Sequence, residues 1–294
     1  MVSSSPDIAT FEAVARENSA LRWYTIADSA QRKGLPASVA QEDYPVRCLF
    51  GASQGSPLAH PSPHLVELCS PLEAGHTWNW ISLHGKAKPG LTIIASEMPF
   101  DDLFVQLAGC VEVTLPDQFE MFLGFWDPAI LGTLMGQGDD HTLHVAGPVL
   151  TAGQRSKMVQ GTHAWWYWDR DGGLHSLAVD AAPGPSSTVP LHLTQAQVDD
   201  LVEASIPDHV LYYVELNQPL LIADTPARQR YGVVREALGQ AREIGLSSMN
   251  DLVNFVCLTL IYNEQMQTDK DITDLLARVR TGELSFSQAL DAIP

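Results

Sequence analysis

The sequence predicts an α+β fold: a mixed α/β N-terminal lobe with a mainly antiparallel sheet, followed by an all-helical C-terminal lobe. Three observations lead there. Short runs rich in β-branched and aromatic residues alternate with helical stretches over the first part of the chain. The segment "AAPGPSSTVP", residues 181–190, can continue neither regular structure, and every pattern after it has helical period. A chain of 294 residues also lies where a single hydrophobic core usually stops growing. The expected organisation is a mixed α/β domain at 1–180, a linker at 181–190 and a helical lobe at 191–294.

The elements follow in order. "FEAVAREN" opens with a helical stretch and runs into "LRWYTIADSA", where Trp23, Thr25 and Ala27 alternate with Tyr24, Ile26 and Asp28 as a strand requires. "RCLFG", "HLVELC", "TWNWISLHG" and "LTIIAS" read as further short strands. "PFDDLFVQLAG" places Phe100, Leu103, Phe104 and Leu107 at helical spacing, and "CVEVTLP" with "EMFLGFW" forms a hairpin-like pair. In "AWWYWDRDGGLHSLAV" the glycines supply a tight turn; Trp165 and Tyr167 face one way and Trp166 and Trp168 the other, which predicts a strand covered on both sides.

In the C-terminal lobe, Thr194 and Gln197 form a capping box, flanked by Leu193 and Val198 as a hydrophobic staple. Thr225 is the expected cap of the next helix, with Pro226 at its first position, an apolar face of Tyr231, Val234, Leu238 and Ala241, and Gly245 as its stop. "SSMNDLVNFVCLTLIYNEQ" is apolar almost all round and predicts the central helix of the lobe. "KDITDLLARVRTG" and "SFSQALDAI" supply one more capped helix each.

Charge narrows the function classes. The net charge of -18 and the pI near 4.7 argue against nucleic acid and against anionic membrane surfaces, both of which need clustered Lys and Arg. Residues before 191 carry 20 acids and 10 bases and the rest 15 and 7, so the parts contribute -10 and -8 to the total of -18. Cys48, Cys69, Cys110 and Cys257 are widely spaced with no C-x-x-C and read as reduced thiols. The start has neither the basic segment nor the apolar run of a signal peptide, so a cytoplasmic protein is expected.

The most metal-like cluster is "GDDHTLH", with Asp139, Asp140, His141 and His144. Its glycine-rich surroundings read as a solvated loop, and no H-E-x-x-H or regularly spaced third ligand accompanies it. A metal-dependent hydrolase using Asp139 to His144 stays as an alternative. G-x-S-x-G, P-loop and G-x-G-x-x-G patterns are missing, so no catalytic residue, metal ligand or cofactor is assigned. Asp127 is the remaining acid of interest. Pro128 holds it extended, where its carboxylate can cap the helix that Pro128 begins, while Phe125 and Trp126 anchor the turn from opposite faces.

"WYTIADSA", "HLVELC", "FDDLFVQLAGCVEVTLPDQFEMFLGFWDPAILGTLM" and "WWYWDRDGGL", in this order, resemble the bacterial domain of unknown function 4123, the family of Tap or TEC adaptor chaperones of type VI secretion. The aromatic-Asp-Pro corner at Phe125, Trp126, Asp127 and Pro128 is the most specific piece of that resemblance. The family motif usually reads Arg-Phe-Tyr-Asp-Pro-Arg; here Gly124 and Ala129 stand at the flanking basic positions and Trp126 replaces Tyr. The resemblance implies a non-enzymatic cytoplasmic protein that binds a specific toxic effector and helps load it onto the VgrG spike. Tyr212, Tyr213 and Leu216 are the expected partner-binding anchors, because adjacent helical residues cannot both face the core; half-buried packing of the two tyrosines between the lobes is the alternative reading. An immunity-type protein that binds and neutralises a toxin is a further alternative.

Overall fold

The computed structural model describes residues 6–51, 62–73, 75–178 and 188–293. It divides into two compact units, Met1–Val202 and Glu203–Pro294. In the first unit the order is α1 (Pro6–Glu17), β1 (Arg22–Asp28), α2 (Leu35–Val39), β2 (Val46–Cys48), β3 (Pro63–Leu68), α3 (Gly75–Ala87), β4 (Leu91–Ser96) and α4 (Phe100–Ala108). There follow β5 (Glu112–Thr114), β6 (Glu120–Phe122), α5 (Pro128–Met135), α6 (Ala152–Met158), β7 (Thr162–Trp168), β8 (Leu174–Ser176) and β9 (Leu191–His192). The helix α7 (Gln195–Asn217) contains the division between the units.

Six strands form one sheet in the order β2-β3-β1-β4-β7-β8, and every neighbouring pair is antiparallel. Side chains alternate across a strand, so a strand buried on both faces is apolar at most positions. In β1, Trp23 and Ala27 enter one core while Tyr24 and Ile26 enter the other. In β7, Trp166 and Trp168 join Trp23, whereas Trp165 and Tyr167 join Tyr24. The first core is closed by Ile8 and Phe11 of α1 and by Trp78 and Ile81 of α3. The second is closed by Leu103 and Leu107 of α4, Leu131 and Leu134 of α5 and Met158 of α6.

A buried acid ties α1, α3 and β7 together. Asp7 Oδ2 accepts from Trp168 Nε1 at 2.9 Å and Ser82 Oγ at 3.1 Å, and pairs with Lys86 Nζ at 2.9 Å. A buried carboxylate is tolerated only when its lone pairs are taken in this way. Where helices meet β7, glycine permits the approach: a Cβ on Gly85 of α3 would overlap the Trp168 indole, and one on Gly132 of α5 would overlap the Tyr167 hydroxyl.

Two sequence readings differ from the structure. "TWNWISLHG" is not a strand but most of α3: Trp78, Ile81, Ser82 and Gly85 are its buried residues, and the i, i+3, i+4, i+7 spacing of that helical face overrides the β preference of aromatic and β-branched side chains. Thr225 does not cap the next helix, α8 (Ala227–Glu243); Pro226 is its N-cap and no side chain closes that end. The expected linker lies outside the described residues over 181–187. Residues 191–202, assigned by sequence to the helical lobe, pack with the first unit. There β9 pairs in parallel with β5, and Gln197 Nε2 donates to Val149 O at 2.9 Å.

The second unit is helical: the later part of α7, a 3-10 turn at Pro219–Ile222, α8, α9 (Met249–Tyr262), α10 (Gln265–Thr268), α11 (Lys270–Arg280) and α12 (Phe286–Ala292). Val210 and Val214 of α7, Val234 and Leu238 of α8, and Leu252, Phe255 and Val256 of α9 share one core. Ser248, Asp269 and Ser285 cap α9, α11 and α12 through their side chains.

Gly85→Ala tests the packing on β7. Alanine favours a helix by about 1 kcal/mol over glycine, but the methyl must displace a buried indole, an overpacking cost of about 1–3 kcal/mol. Net destabilisation is expected in calorimetry. Gly232→Ala in α8, where a Cβ meets nothing within 4 Å, is expected to raise stability instead.

Candidate functional site

The Asp127 corner joins the β5-β6 hairpin to α5. Asp127 is extended at φ -78° and ψ 123°, and its Oδ1 accepts from Ala129 N at 2.9 Å and Ile130 N at 3.3 Å. Its Oδ2 accepts from Gln31 Nε2 at 3.1 Å, so the side chain also fastens the loop after β1. Gly136, at φ 81°, ends the helix in the left-handed conformation. Phe125 is fully buried and meets Trp165 edge-on at 6.2 Å, while the half-buried Trp126 meets Phe50 at 5.2 Å. Asp127 is therefore occupied in holding backbone, which is what an N-cap does.

Beside it lies a cavity of about 90 Å³ lined in part by Asp127, Asp140, Asp169, Lys88 and Arg170. That volume has room for a few waters and falls well short of the roughly 300 Å³ at which small-molecule pockets begin. The buried Asp28 adjoins this acidic group. Burial raises its pKa, and the charge of Asp127 raises it further.

A second network closes the end of the β7-β8 hairpin. His175 Nε2 bonds Asp169 Oδ2 at 2.8 Å and its Nδ1 bonds Asp139 Oδ2 at 3.2 Å. The buried Asp140 accepts from Thr142 N and Oγ1 on Oδ1, at 2.8 and 2.7 Å, and from Tyr167 Oη on Oδ2 at 2.9 Å. Burial, with the adjacent Asp140 carboxylate, drives the Tyr167 pKa far up and keeps that hydroxyl a donor. Burial alone would lower the His175 pKa; hydrogen bonds to Asp169 and Asp139 outweigh it, and the net shift is upward.

Among the described residues, the His, Cys, Asp and Glu set whose ligand atoms converge is Asp140, Asp169 and His175, within 4.8 Å of one another. Of the four residues singled out in "GDDHTLH", only Asp140 belongs to it. Asp139 reaches its edge through His175, and His141 and His144 lie outside it. The donor types suit a divalent cation, yet protein donors already hold each carboxylate. Sequence reading missed Asp169 and His175 because only the hairpin register, with His175 opposite Tyr167, brings them to Asp140.

The expected anchors sit on the surface of the second unit. Tyr212 is 60% exposed, Tyr213 44% and Leu216 61%, and the two rings meet edge-on at 6.0 Å. Val210 and Val214 take the buried face of the same turns.

The corner and the strands around it are what a comparison with known families recognises. Residues 23–145 match the family described as Domain of unknown function (DUF4123). The match spans β1 to the loop after α5, less than half of the chain, and includes the Asp127 corner but neither β7 nor the second unit. No curated protein and no solved structure matches the chain.

Two measurements probe these groups. Asp127→Ala is expected to lose about 0.5–2 kcal/mol of stability, and Asp127→Asn, which keeps a capping oxygen, much less. For His175 the folded pKa is raised, so its contribution is fully present below its ordinary value of about 6.5 and is lost as pH rises through the folded value. Asp139 is shifted down, so its contribution is lost instead as acid titrates it below about pH 4. Melting temperatures should fall above neutral pH in the wild type relative to His175→Gln.

Proposed function

We propose that the protein is a non-enzymatic, cytoplasmic adaptor that binds one type VI secretion effector and brings it to the VgrG spike. The family match over residues 23–145 carries this reading, since that family is linked to type VI secretion adaptors. The acids that a hydrolase would need are engaged elsewhere: Asp127 caps α5, and Asp140 is held by Thr142 and Tyr167. Exposed apolar side chains supply what an adaptor needs, and Tyr212, Tyr213 and Leu216 form the anchor patch. Binding a loading-competent effector stabilises that state by mass action and is reversed on transfer.

Co-expression with candidate type VI effector toxins and with a VgrG spike protein, followed by affinity capture, tests the reading. A complex with the toxin or with the spike is expected; capture of neither overturns it. Tyr212→Ala with Leu216→Ala should weaken the toxin complex by about tenfold or more without changing the melting temperature. Neutralised toxin activity in the complex would favour the immunity-type role. Stoichiometric metal lost on His175→Ala would favour a metal-dependent enzyme.

A further inference from the structure

The smaller sheet, ordered β6-β5-β9, ends on β6. Hydrogen bonding within the hairpin decides which backbone groups point outward. Leu115 N donates to Phe119 O and Leu123 N to Val111 O, both at 2.8 Å, with Met121 opposite Val113 between them. Those are the bonded pairs of an antiparallel ladder, so Glu120 and Phe122, one step out of phase, turn their N–H and C=O groups away from β5. Among the described residues no hydrogen bond reaches those four groups.

Apart from Glu120, the side chains along this edge are apolar and exposed. Phe119 is 70% exposed, Met121 41% and Phe122 52%. Phe122 stacks on Phe50 at 4.6 Å, and Phe50 meets Trp126, which makes an aromatic platform beside the edge. Edge strands are blunted by shortness, charge, proline or a bulge; β6 is three residues long and carries Glu120, with no lysine, proline or bulge, so its protection is against long or acidic strands and leaves room for a short basic one.

We propose that β6 is a docking edge on which an extended segment of the effector, bearing lysine or arginine between apolar residues, adds as a further strand. The inference rests on the adaptor reading for the owner of that segment. Charge selects the occupant. Between Lys88 and Arg155 the chain carries nine acids and no lysine or arginine, and Glu112 and Glu120 flank Phe122 and Thr114 on one face of the hairpin. A second copy of this chain would bring the same acids to the contact, and like charges across a strand pair are destabilising. On the incoming strand a base lies opposite Glu120, an apolar residue lies opposite Phe122 on the same face, and apolar residues on the other face meet Met121 and Phe119.

The test uses the full chain and a fluorescein-labelled octapeptide, acetyl-TVKVIVKT-amide, with its counterpart carrying glutamate for both lysines. The lysine peptide is expected to bind by anisotropy, more weakly as salt rises, and the glutamate peptide at least about tenfold more weakly. Hydrogen exchange should slow at the amides of Glu120 and Phe122. Glu120→Pro removes an outward donor without breaking the β5 ladder, and should weaken binding further than Glu120→Gln, which removes the charge alone. Phe122→Lys, which leaves the backbone intact, sets a charge opposite the apolar residue of the incoming strand and a base diagonal to its lysines, and should also weaken it. Equal binding of both peptides, protection elsewhere, or unchanged affinity in Glu120→Pro and Phe122→Lys overturns the assignment. If the toxin is captured while the peptide fails, the edge assignment alone falls. If the peptide protects Glu120 and Phe122 while no toxin or spike is captured, the edge stands and the adaptor reading falls.

Discussion

The first unit depends on one strand with large aromatic side chains on both faces. Trp165 and Tyr167 of β7 face the core under α4 and α5, and Trp166 and Trp168 face the core under α1 and α3. Alternation makes the two layers inseparable: a shift of one residue along β4 would exchange every ring between cores of different shape. The polar fixings lie at the same strand. Trp168 donates to Asp7, and Tyr167 donates to Asp140. Buried polar groups that are fully paired select one arrangement among several equally greasy ones.

What the sequence revealed and what it concealed divide along a physical line. Local rules were legible. The Asp-Pro step, the box at Thr194 and the period-2 aromatics of β7 need only near neighbours in the chain. Composition misled at α3, where indoles and isoleucine suggest a strand but their spacing describes a helical stripe. The polar network was hidden for a different reason. Asp140 and His175 are 35 positions apart in the chain, and only the return of β8 along β7 joins them. Residues 191–202 look helical with the segment that follows, yet the two-residue β9 attaches them to β5, a pairing too short to carry any periodic signal.

Acidic side chains in this molecule serve three different ends, and environment sorts them. Asp7 and Asp140 are buried and saturated with donors; Asp127 and Asp269 close helix ends; Glu112 and Glu120 stand on the surface without local bases in their hairpin. The first two groups stabilise the fold through these bonds. The last group shapes the field that an approaching chain meets, and such a field acts on encounter rate and partner choice more than on final affinity.

All seven tryptophans, from Trp23 to Trp168, fall in the first unit, whereas the helical unit has tyrosine as its sole strong ultraviolet emitter. Most of these indoles are enclosed within the two cores around the six-stranded sheet. Excitation at the red edge of the absorption band thus addresses one half of the molecule, and events confined to the other half leave that light unaltered unless they reach across. The chain therefore carries its own optical label for the first unit, whose melting can be followed on its own without attaching a dye.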